Sequence, residues 1–552
     1  MKQPLFWLVL ALGFLLRIAF LGSVPAGFTP DEASQGYAAY SLLKTGKDEW
    51  GIGWPIASFR AFADYRAPLQ TYLIIPSVAV FGLNEFAVRL PSAITGTLAV
   101  LAIFLLVGFL FPDRKKIPLI AAFLLAVSPW HIQFSRTALE ANFASFLFPM
   151  GLYFLLRGMR HNGKYLIISA LFFGLDMYSY LAAKLFVIVF LLAFALLHLK
   201  QIIGNLKKYL PFAAIILAFV LPLYADTFFG PGNTRGKDLI ITNLSLENLE
   251  GIKREQYYSK LNNVSPQLTR VFSNKATFFA NTFITNYVSY LTPSFWFTEG
   301  GREITYSVFP GFGLLHLFMF PLVVYGLYAL VKINHPAKKV LFLWLFLGII
   351  PAAITKEGYR PNRVGSLLTL WEIVAAFGLW EMLKIIPVRL KKTVRILAAA
   401  IAFISIIFYL NLYFFVSPIK YQQSLSYGYR ELIGKVDKHS PGYDQIIFDR
   451  GSQSQVFVAF YTKMDPAFYQ TYSKNWWPVI EKERLLFLDM IGSYRLGKYT
   501  FKSFDASADL LPGNLVVIRA EKYNSGLAPG IVDQVNYSDG TPAFYLLSYV
   551  QE

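Results

Sequence analysis

The sequence contains no cysteine and is poor in charge and histidine. The absence of Cys among 552 residues excludes disulfide bridges, thiolate metal sites, iron–sulfur ligation and a cysteine nucleophile. Charged residues make up 15% of the chain, hydrophobic residues make up 55%, and the mean hydropathy is +0.46. This composition excludes an ordinary soluble protein, a disordered chain and a fibrous repeat. Any chemistry must therefore come from carboxylates, cations, hydroxyls or the six His.

Long apolar runs predict a polytopic α-helical membrane protein. A helix needs roughly 20 mostly apolar residues to cross a bilayer. Eleven runs approach that length, at about 5–22, 90–111, 117–133, 142–157, 165–181, 184–199, 210–225, 309–330, 340–354, 366–383 and 396–416. The apolar stretch Leu69–Leu83 is expected to lie in the outer interface, because Pro76 interrupts it and a twelfth span would reverse the side of every later loop.

Basic residues mark one side of the membrane. The chain has 51 Lys and Arg against 33 Asp and Glu, and most basic residues between spans fall at the ends that share a side with the N-terminus. By the positive-inside rule, we expect a plasma-membrane protein with a cytoplasmic N-terminus and an extracytoplasmic C-terminal region. The charge is scattered between apolar segments, so the sequence does not predict a nucleic-acid partner.

Three parts of the chain are expected outside the membrane: a first loop of 23–89, a loop of 226–308 and a C-terminal region of 417–552. The sequence thus predicts a transmembrane domain over 1–416 that holds the site, followed by a soluble α/β domain. Alternating apolar residues and helical patterns define the latter, with strands at Gln445–Phe448, Asn514–Ile518 and Ala543–Val550 and helices at about 423–437 and 454–462. With most non-membrane mass outside and no Walker motif, a cytoplasmic nucleotide-dependent enzyme is disfavoured.

An acidic pair, Asp31 and Glu32, follows the first span at the outer interface. A carboxylate placed there stays ionised, contacts solvent and can still face a substrate whose tail lies in the bilayer. The alternative interpretation is structural, with Asp31 capping the helix that begins here. The composition of this segment does not decide between the two.

Several cations also lie at predicted outer positions, where the positive-inside rule disfavours them. They are Arg66, Arg136, Lys184, Arg360 and Arg363. Arginine is suited to holding phosphate through two parallel hydrogen bonds. The structural alternatives are an Arg66 that snorkels to the headgroups and an Arg136 that pairs with Glu140 four residues later. The set suits an anionic, lipid-anchored substrate that is attacked by a hydroxyl.

No motif predicts a metal centre or another cofactor. The His residues are scattered among inner ends, a span and the C-terminal region, without metal-ligand spacing. A divalent ion held by Asp31, Glu32 and Glu140 is left open.

Several motifs resemble one family of membrane enzymes. They are Asp31-Glu32, Lys44-Thr45-Gly46, Tyr65-Arg66-Ala67-Pro68-Leu69, the run from Phe81 to Ala93, Ser128-Pro129, and Arg136 to Asn142. Together they resemble the dolichyl-phosphate-mannose protein mannosyltransferase-like family, which are GT-C glycosyltransferases of glycosyltransferase family 39 and relatives of the lipid A aminoarabinose transferases. The resemblance covers residues 1–200 well and the remainder more loosely.

The resemblance implies transfer of a sugar from a polyprenyl-phosphate carrier to a protein, lipid or glycan acceptor on the extracytoplasmic side. It implies that Asp31 is the base, with Glu32 beside it, and that Arg66 contacts the donor phosphate. Arg66 stands in Arg-Ala-Pro-Leu, where the family often has Lys before Pro-Pro-Leu, and Ala141 occupies the place of a second family Asp, for which Glu140 would substitute. The rival hypotheses are a transporter or flippase of a lipid-linked anion, a polysaccharide polymerase or ligase, and a non-catalytic scaffold.

Overall fold

The computed structural model describes residues 4–62, 64–230, 240–301, 303–356, 358–451, 453–483, 485, 487–524 and 530–549. Helices dominate the described chain. In order they are α1 Pro4–Ile18, α2 Pro30–Thr45, α3 Leu69–Phe81, α4 Glu85–Leu110, α5 Ile117–Ala126, α6 Pro129–Ser135, α7 Ala144–Arg160, α8 Lys164–Met177, α9 Leu181–Leu197, α10 Leu199–Gly204, α11 Leu206–Phe229, α12 Leu246–Leu261, α13 Pro266–Phe272, α14 Lys275–Ser289, α15 Met319–Lys332, α16 Ala337–Gly348, α17 Ile350–Ala353, α18 Gly365–Ile385, α19 Val388–Asn411, α20 Ser417–Lys420, α21 Tyr429–His439, α22 Ser454–Tyr461, α23 Pro466–Glu483 and α24 Ala506–Asp509.

The described strands form two sheets. They are β1 Phe59–Ala61, β2 Asp64–Arg66, β3 Gln445–Asp449, β4 Ser493–Leu496, β5 Tyr499–Lys502, β6 Asn514–Arg519, β7 Gly530–Asn536 and β8 Pro542–Ser548. β1 and β2 make a short antiparallel hairpin, and the others form a sheet of order β4-β5-β3-β6-β8-β7. β3 runs parallel to both β5 and β6, while the outer pairs are antiparallel. The predicted mixture of helices and strands in the C-terminal region is confirmed.

Four described helices are long and apolar enough to cross a membrane. They are Glu85–Leu110, Leu206–Phe229, Pro361–Ile385 and Val388–Lys420, and α5 with α6 would add a fifth span bent by 59°. Shorter apolar helices occur at Pro4–Ile18, Leu69–Phe81, Leu181–Leu197 and Met319–Lys332. Every predicted span overlaps a helix, but the count of eleven stays a prediction.

Two details of the predicted spans differ from the structure. The span expected at 309–330 becomes helical only at Met319, because Pro310, Gly311 and Gly313 break the preceding segment. The stretch Leu69–Leu83 is a helix of 13 residues, α3, which is short for a full crossing. Its position in the outer interface stays a prediction.

The chain folds into two compact units, each built from separate stretches of sequence. The first comprises Met1–Leu10, Leu98–His131 and Ala141–Ser405. Its centre is α18, in which the apolar window is 72% buried. Small residues let α15 approach α18 closely, since a Cβ on Gly378 would meet the carbonyl of Leu322 and the backbone of Gly326.

The second unit comprises Ala11–Thr97, Ile132–Glu140 and Ile406–Glu552. One hydrophobic core joins the first loop to the C-terminal region, with Tyr37 from α2 packing against Tyr469 of α23 at 5.1 Å between ring centroids. A Cβ on Gly36 would strike Phe460 of α22 at 2.7 Å, so glycine permits this close approach. The first loop, residues 23–89, and the C-terminal helices therefore fold together. The predicted domain boundary at 416/417 is left as a prediction.

Candidate active site

Helix α2 begins with a complete capping box. Oγ1 of its N-cap Thr29 accepts the backbone N–H of Glu32 at 3.3 Å, and Glu32 Oε2 accepts the backbone N–H of Thr29 at 3.0 Å. The alternative in which Asp31 caps this helix is wrong, because Thr29 and Glu32 supply both capping bonds. Asp31 instead lies in the first turn, with a carboxylate that the cap does not require.

Glu32 forms a buried ion pair with Arg89 of α4. Both side chains are 1% exposed, and Arg89 Nε donates to Glu32 Oε1 at 2.8 Å. The terminal nitrogens of Arg89 donate to the backbone carbonyls of Leu21, Pro25 and Gly27 at 3.2, 3.2 and 2.6 Å. These contacts favour a role for Glu32 in folding the loop rather than in direct chemistry.

The same carboxylate anchors the turn after α6. The backbone N–H of Ala138 donates to Glu32 Oε1 at 3.1 Å. Within this turn Arg136 is fully buried, and its two terminal nitrogens donate to the carbonyls of Leu16 and Val24, both at 2.9 Å. The contacts of Arg136 favour an anchoring role over the phosphate contact predicted for it.

One face of α2 links Asp31 to two other predicted site residues. Asp31, Ser34 and Gln35 neighbour each other there, since positions three and four apart share a helix face. Gln35 Nε2 donates to Glu140 Oε1 at 3.4 Å, and Arg66 Nη1 donates to Ser34 Oγ at 2.9 Å. Helix α2 therefore brings Asp31 within one turn of residues that contact Glu140 and Arg66.

Arg66 has a carboxylate partner that sequence reasoning missed. It ends β2 of the first-loop hairpin and is 5% exposed. Its Nη2 donates to Glu49 Oε1 at 3.4 Å, in an ion pair whose side chains are 4% and 5% exposed. Asp48-Glu49-Trp50 matches no motif, and the available signal was an acidic pair beside a Trp in the loop that also holds Asp31.

The carboxyl groups of Asp48 and Glu49 both have raised pKa values. Burial raises the pKa of Glu49, the nearby Asp48 raises it further, and Arg66 opposes the rise. Burial also raises the pKa of Asp48, against hydrogen bonds from the backbone N–H groups of Ile52 and Trp50. Near neutral pH the cluster around Arg66 therefore carries less negative charge than two ordinary carboxylates would.

Arg360 and Arg363 belong to the other compact unit, where each has a defined partner. Arg360 forms an ion pair with Glu303, and its backbone N–H donates to the Tyr290 hydroxyl at 3.0 Å. Arg363 Nη1 donates to Thr355 Oγ1 at 2.6 Å. The Arg360 guanidinium thus contacts a carboxylate, and the Arg363 guanidinium contacts a hydroxyl group.

Lys184 lies in the first turn of α9, in the same unit. Its Nζ donates to Thr227 Oγ1 at 3.3 Å, near the end of α11. The Thr227 hydroxyl in turn donates to the carbonyl of Leu223 at 2.7 Å. Two apolar helices therefore position this predicted phosphate contact.

Across the described residues, no group of three or more His, Asp or Glu side chains could hold a metal ion. Asp31, Glu32 and Glu140 do not make up such a group in the described chain. The physical reason lies in Glu32, whose carboxylate oxygens already accept hydrogen bonds from Arg89, Thr29 and Ala138.

Part of the sequence, which begins after α2, matches a known family of transferases. Residues 65–225 match the dolichyl-phosphate-mannose-protein mannosyltransferase family model. A curated relative, the undecaprenyl phosphate-alpha-4-amino-4-deoxy-L-arabinose arabinosyl transferase 1 of Pseudomonas fluorescens, is 31% identical over 143 residues, which cover 26% of this chain and 23% of the relative. The corresponding transferase of Pseudomonas savastanoi is 35% identical over 111 residues, 19% of this chain and 20% of the relative. The chain thus matches under a quarter of each relative's length.

The fold likeness extends over the whole chain. The crystal structure of ArnT from Cupriavidus metallidurans bound to undecaprenyl phosphate superimposes with a TM-score of 0.55 at 10% identity, covering 98% of this chain and 97% of ArnT. The chain has the GT-C fold. The predicted resemblance is confirmed, because the fold is that of ArnT and parts of the chain are similar in sequence to the mannosyltransferase family model and to aminoarabinose transferases.

Proposed function

We propose that this GT-C protein transfers a sugar from a polyprenyl-phosphate donor to an acceptor hydroxyl of a protein, lipid or glycan. The observation that carries the proposal is α2, which gathers Asp31, the Ser34 contact to Arg66 and the Gln35 contact to Glu140 within one turn. The sequence relatives support it, because both are named as transferases of an undecaprenyl phosphate-linked sugar.

In the proposed reaction Asp31 acts as the base. Its carboxylate takes the proton of the acceptor hydroxyl while that oxygen forms a bond to the anomeric carbon of the sugar. The bond between the anomeric carbon and the phosphate oxygen breaks, and its electron pair leaves with the polyprenyl phosphate. Arg66 binds the phosphate both in the bound donor and as it departs, so no second acid has to protonate it. Lys184, Arg360 and Arg363 are further proposed phosphate contacts.

The test is transfer of radiolabel from a panel of polyprenyl-phosphate sugars by the purified protein in lipid, with membrane extract as acceptor. Label that moves to an acceptor supports the proposal and names the donor. Donor that is bound or carried across the bilayer without transfer would support the transporter hypothesis instead. Label that moves only between glycan chains would favour a polysaccharide polymerase.

Replacing Arg66 by Ala is expected to raise the donor KM by roughly 10- to 100-fold with a smaller change in kcat, because a charged hydrogen bond to phosphate is lost. Steady-state transfer rates at varied donor concentration measure the effect. Lys44→Ala is the matched control, since it removes one positive charge from exposed Lys44 near the end of α2. An unchanged donor KM in Arg66→Ala would reassign Arg66 to structural anchoring.

We propose a cytoplasmic N-terminus and an extracytoplasmic C-terminal region, as the distribution of basic residues indicates. Because the chain has no Cys, a single introduced thiol can report the side. Gly204 and Gly442 suit this purpose, since an added Cβ meets no atom within 4 Å at either site. In intact cells an impermeant maleimide is expected to label Gly442→Cys and to leave Gly204→Cys unlabelled until the cells are opened. The reverse pattern would invert the topology.

A further inference from the structure

Two side chains hold the guanidinium of Arg66 in place. Its Nη1 donates to Ser34 Oγ at 2.9 Å, and its Nη2 donates to Glu49 Oε1 at 3.4 Å. Ser34 Oγ also donates to Glu49 Oε1 at 3.4 Å, which closes a three-membered network. Within the described part of the chain, Arg66 Nε is buried and has no hydrogen-bond partner. The network therefore leaves one nitrogen of the fork for a further acceptor.

The segment that holds Glu49 is attached to the C-terminal helix α23 through its backbone. Ser473 Oγ donates to the carbonyl of Glu49 at 2.7 Å, and Gln470 Nε2 donates to the carbonyl of Asp48 at 2.8 Å. Gln470 Nε2 also lies 3.1 Å from the hydroxyl oxygens of Ser41 and Thr45 near the end of α2. Helix α23 therefore fixes both the end of α2 and the Asp48–Glu49 segment.

Aromatic packing ties the hairpin of Arg66 to the same helix. Tyr65, next to Arg66, meets Trp477 of α23 edge to face at 5.4 Å between ring centroids. The Arg60 guanidinium lies 4.2 Å from the centroid of the same ring. On the other side, Trp50 meets Trp477 at 5.2 Å. One buried Trp thus contacts the strand that carries Arg66 and the segment that carries Glu49.

We propose that Glu49 is a positioning residue for Arg66, and that the C-terminal helix α23 sets the position of Glu49 through Ser473 and Gln470. The inference rests on the proposed function, in which Arg66 contacts the donor phosphate. A long arginine side chain loses rotamer freedom when it is fixed, and a network that fixes it beforehand lowers the cost of binding. The C-terminal region therefore takes part in donor binding without touching the donor.

The test compares donor KM and kcat for Glu49→Ala, Glu49→Gln and Ser473→Ala in the full-length protein. Glu49→Ala is expected to raise the donor KM about tenfold with little change in kcat, because Nη2 of Arg66 loses its acceptor. Glu49→Gln keeps an acceptor oxygen and is expected to restore most of the affinity. Ser473→Ala is expected to raise the donor KM about threefold. Thr471→Ala is the matched control, since among the described residues this exposed hydroxyl donates only to the carbonyl of Phe468 in its own helix.

A double variant separates positioning from an independent effect. If Glu49 acts through Arg66, the double variant Glu49→Ala with Arg66→Ala should have the same donor KM as Arg66→Ala alone. The inference would be overturned if the effects on the donor KM were additive, or if Glu49→Ala and Ser473→Ala both kept the wild-type KM. The proposed function would still stand in that case, provided that the wild type transfers sugar and Arg66→Ala raises the donor KM. Absence of transfer by the wild type would instead remove the proposed function. If Glu49→Ala fails to fold, Ser473→Ala and Glu49→Gln decide the outcome.

Discussion

Asp31→Asn is expected to lower kcat for sugar transfer by roughly 10²- to 10⁴-fold while donor binding stays close to that of the wild type. An amide keeps the volume of the side chain but cannot take the proton of the attacking hydroxyl. The structure sharpens this expectation, because the helix cap is made by Thr29 and Glu32 and does not depend on the Asp31 carboxylate. Loss of activity would therefore report chemistry rather than the unfolding of α2.

Initial rates of label transfer and donor titrations, both with purified protein in lipid, measure the two quantities for Asp31→Asn. Asp64→Asn is the matched control, since it removes one carboxylate from the same loop, where Asp64 Oδ1 accepts the backbone N–H of Tyr65 at 2.7 Å. Wild-type turnover in Asp31→Asn would show that another group is the base. Glu140 would then be the next candidate, because Gln35 links it to the same helix face.

Arg89→Met is expected to lower the free energy of unfolding by about 3–5 kcal/mol, because it leaves Glu32 as an unpaired buried charge. Both side chains of this pair are 1% exposed. The double variant Arg89→Met with Glu32→Gln should lose less than the sum of the two single variants, since the pair interacts directly. Unfolding in detergent, followed by intrinsic fluorescence, measures these differences.

A second ion pair of the same unit provides the comparison. Arg430 pairs with Glu85, but the Arg430 side chain is 64% exposed. Arg430→Met is expected to cost less than Arg89→Met, because Arg430 is exposed and the buried Glu85 keeps the hydrogen bond from the Tyr461 hydroxyl at 2.9 Å. Similar losses for Arg89→Met and Arg430→Met would show that burial does not set the strength of the Arg89 contact.

Composition and periodicity predicted the class of fold, because the spacing of apolar residues in a short segment reflects which of its side chains are buried. The apolar runs coincide with helices, and the alternating segments at 445–448 and 514–518 are strands β3 and β6. Strands β4, β5 and β7 were missed, since their apolar alternation is short or broken. Helix α23 was also missed, because its sequence mixes aromatic, polar and proline residues without a clean helical period.

The sequence predicted which side chains belong to the candidate site. It did not predict the contacts between residues that lie far apart in the sequence. The acidic and basic side chains near α2 could be named from their positions and from a family resemblance. The separate roles of these side chains could not be predicted, because the contact between Glu32 and Arg89, 57 residues away, is visible only in the structure. The hydrogen bond from Ser473 to the carbonyl of Glu49 joins residues 424 positions apart, so no local sequence pattern predicts it.

The shared core of the first loop and the C-terminal helices also bears on how the protein is made. Helix α2 leaves the ribosome early, whereas its packing partners α22 and α23 follow some 400 residues later. At a synthesis rate of about 5–20 residues per second, the interval is roughly 20–80 s. Throughout that interval the loop that carries Asp31 and Arg66 lacks the surface that buries it. The nascent chain should therefore be open to proteases in this loop until α22 and α23 have been made and have packed against α2.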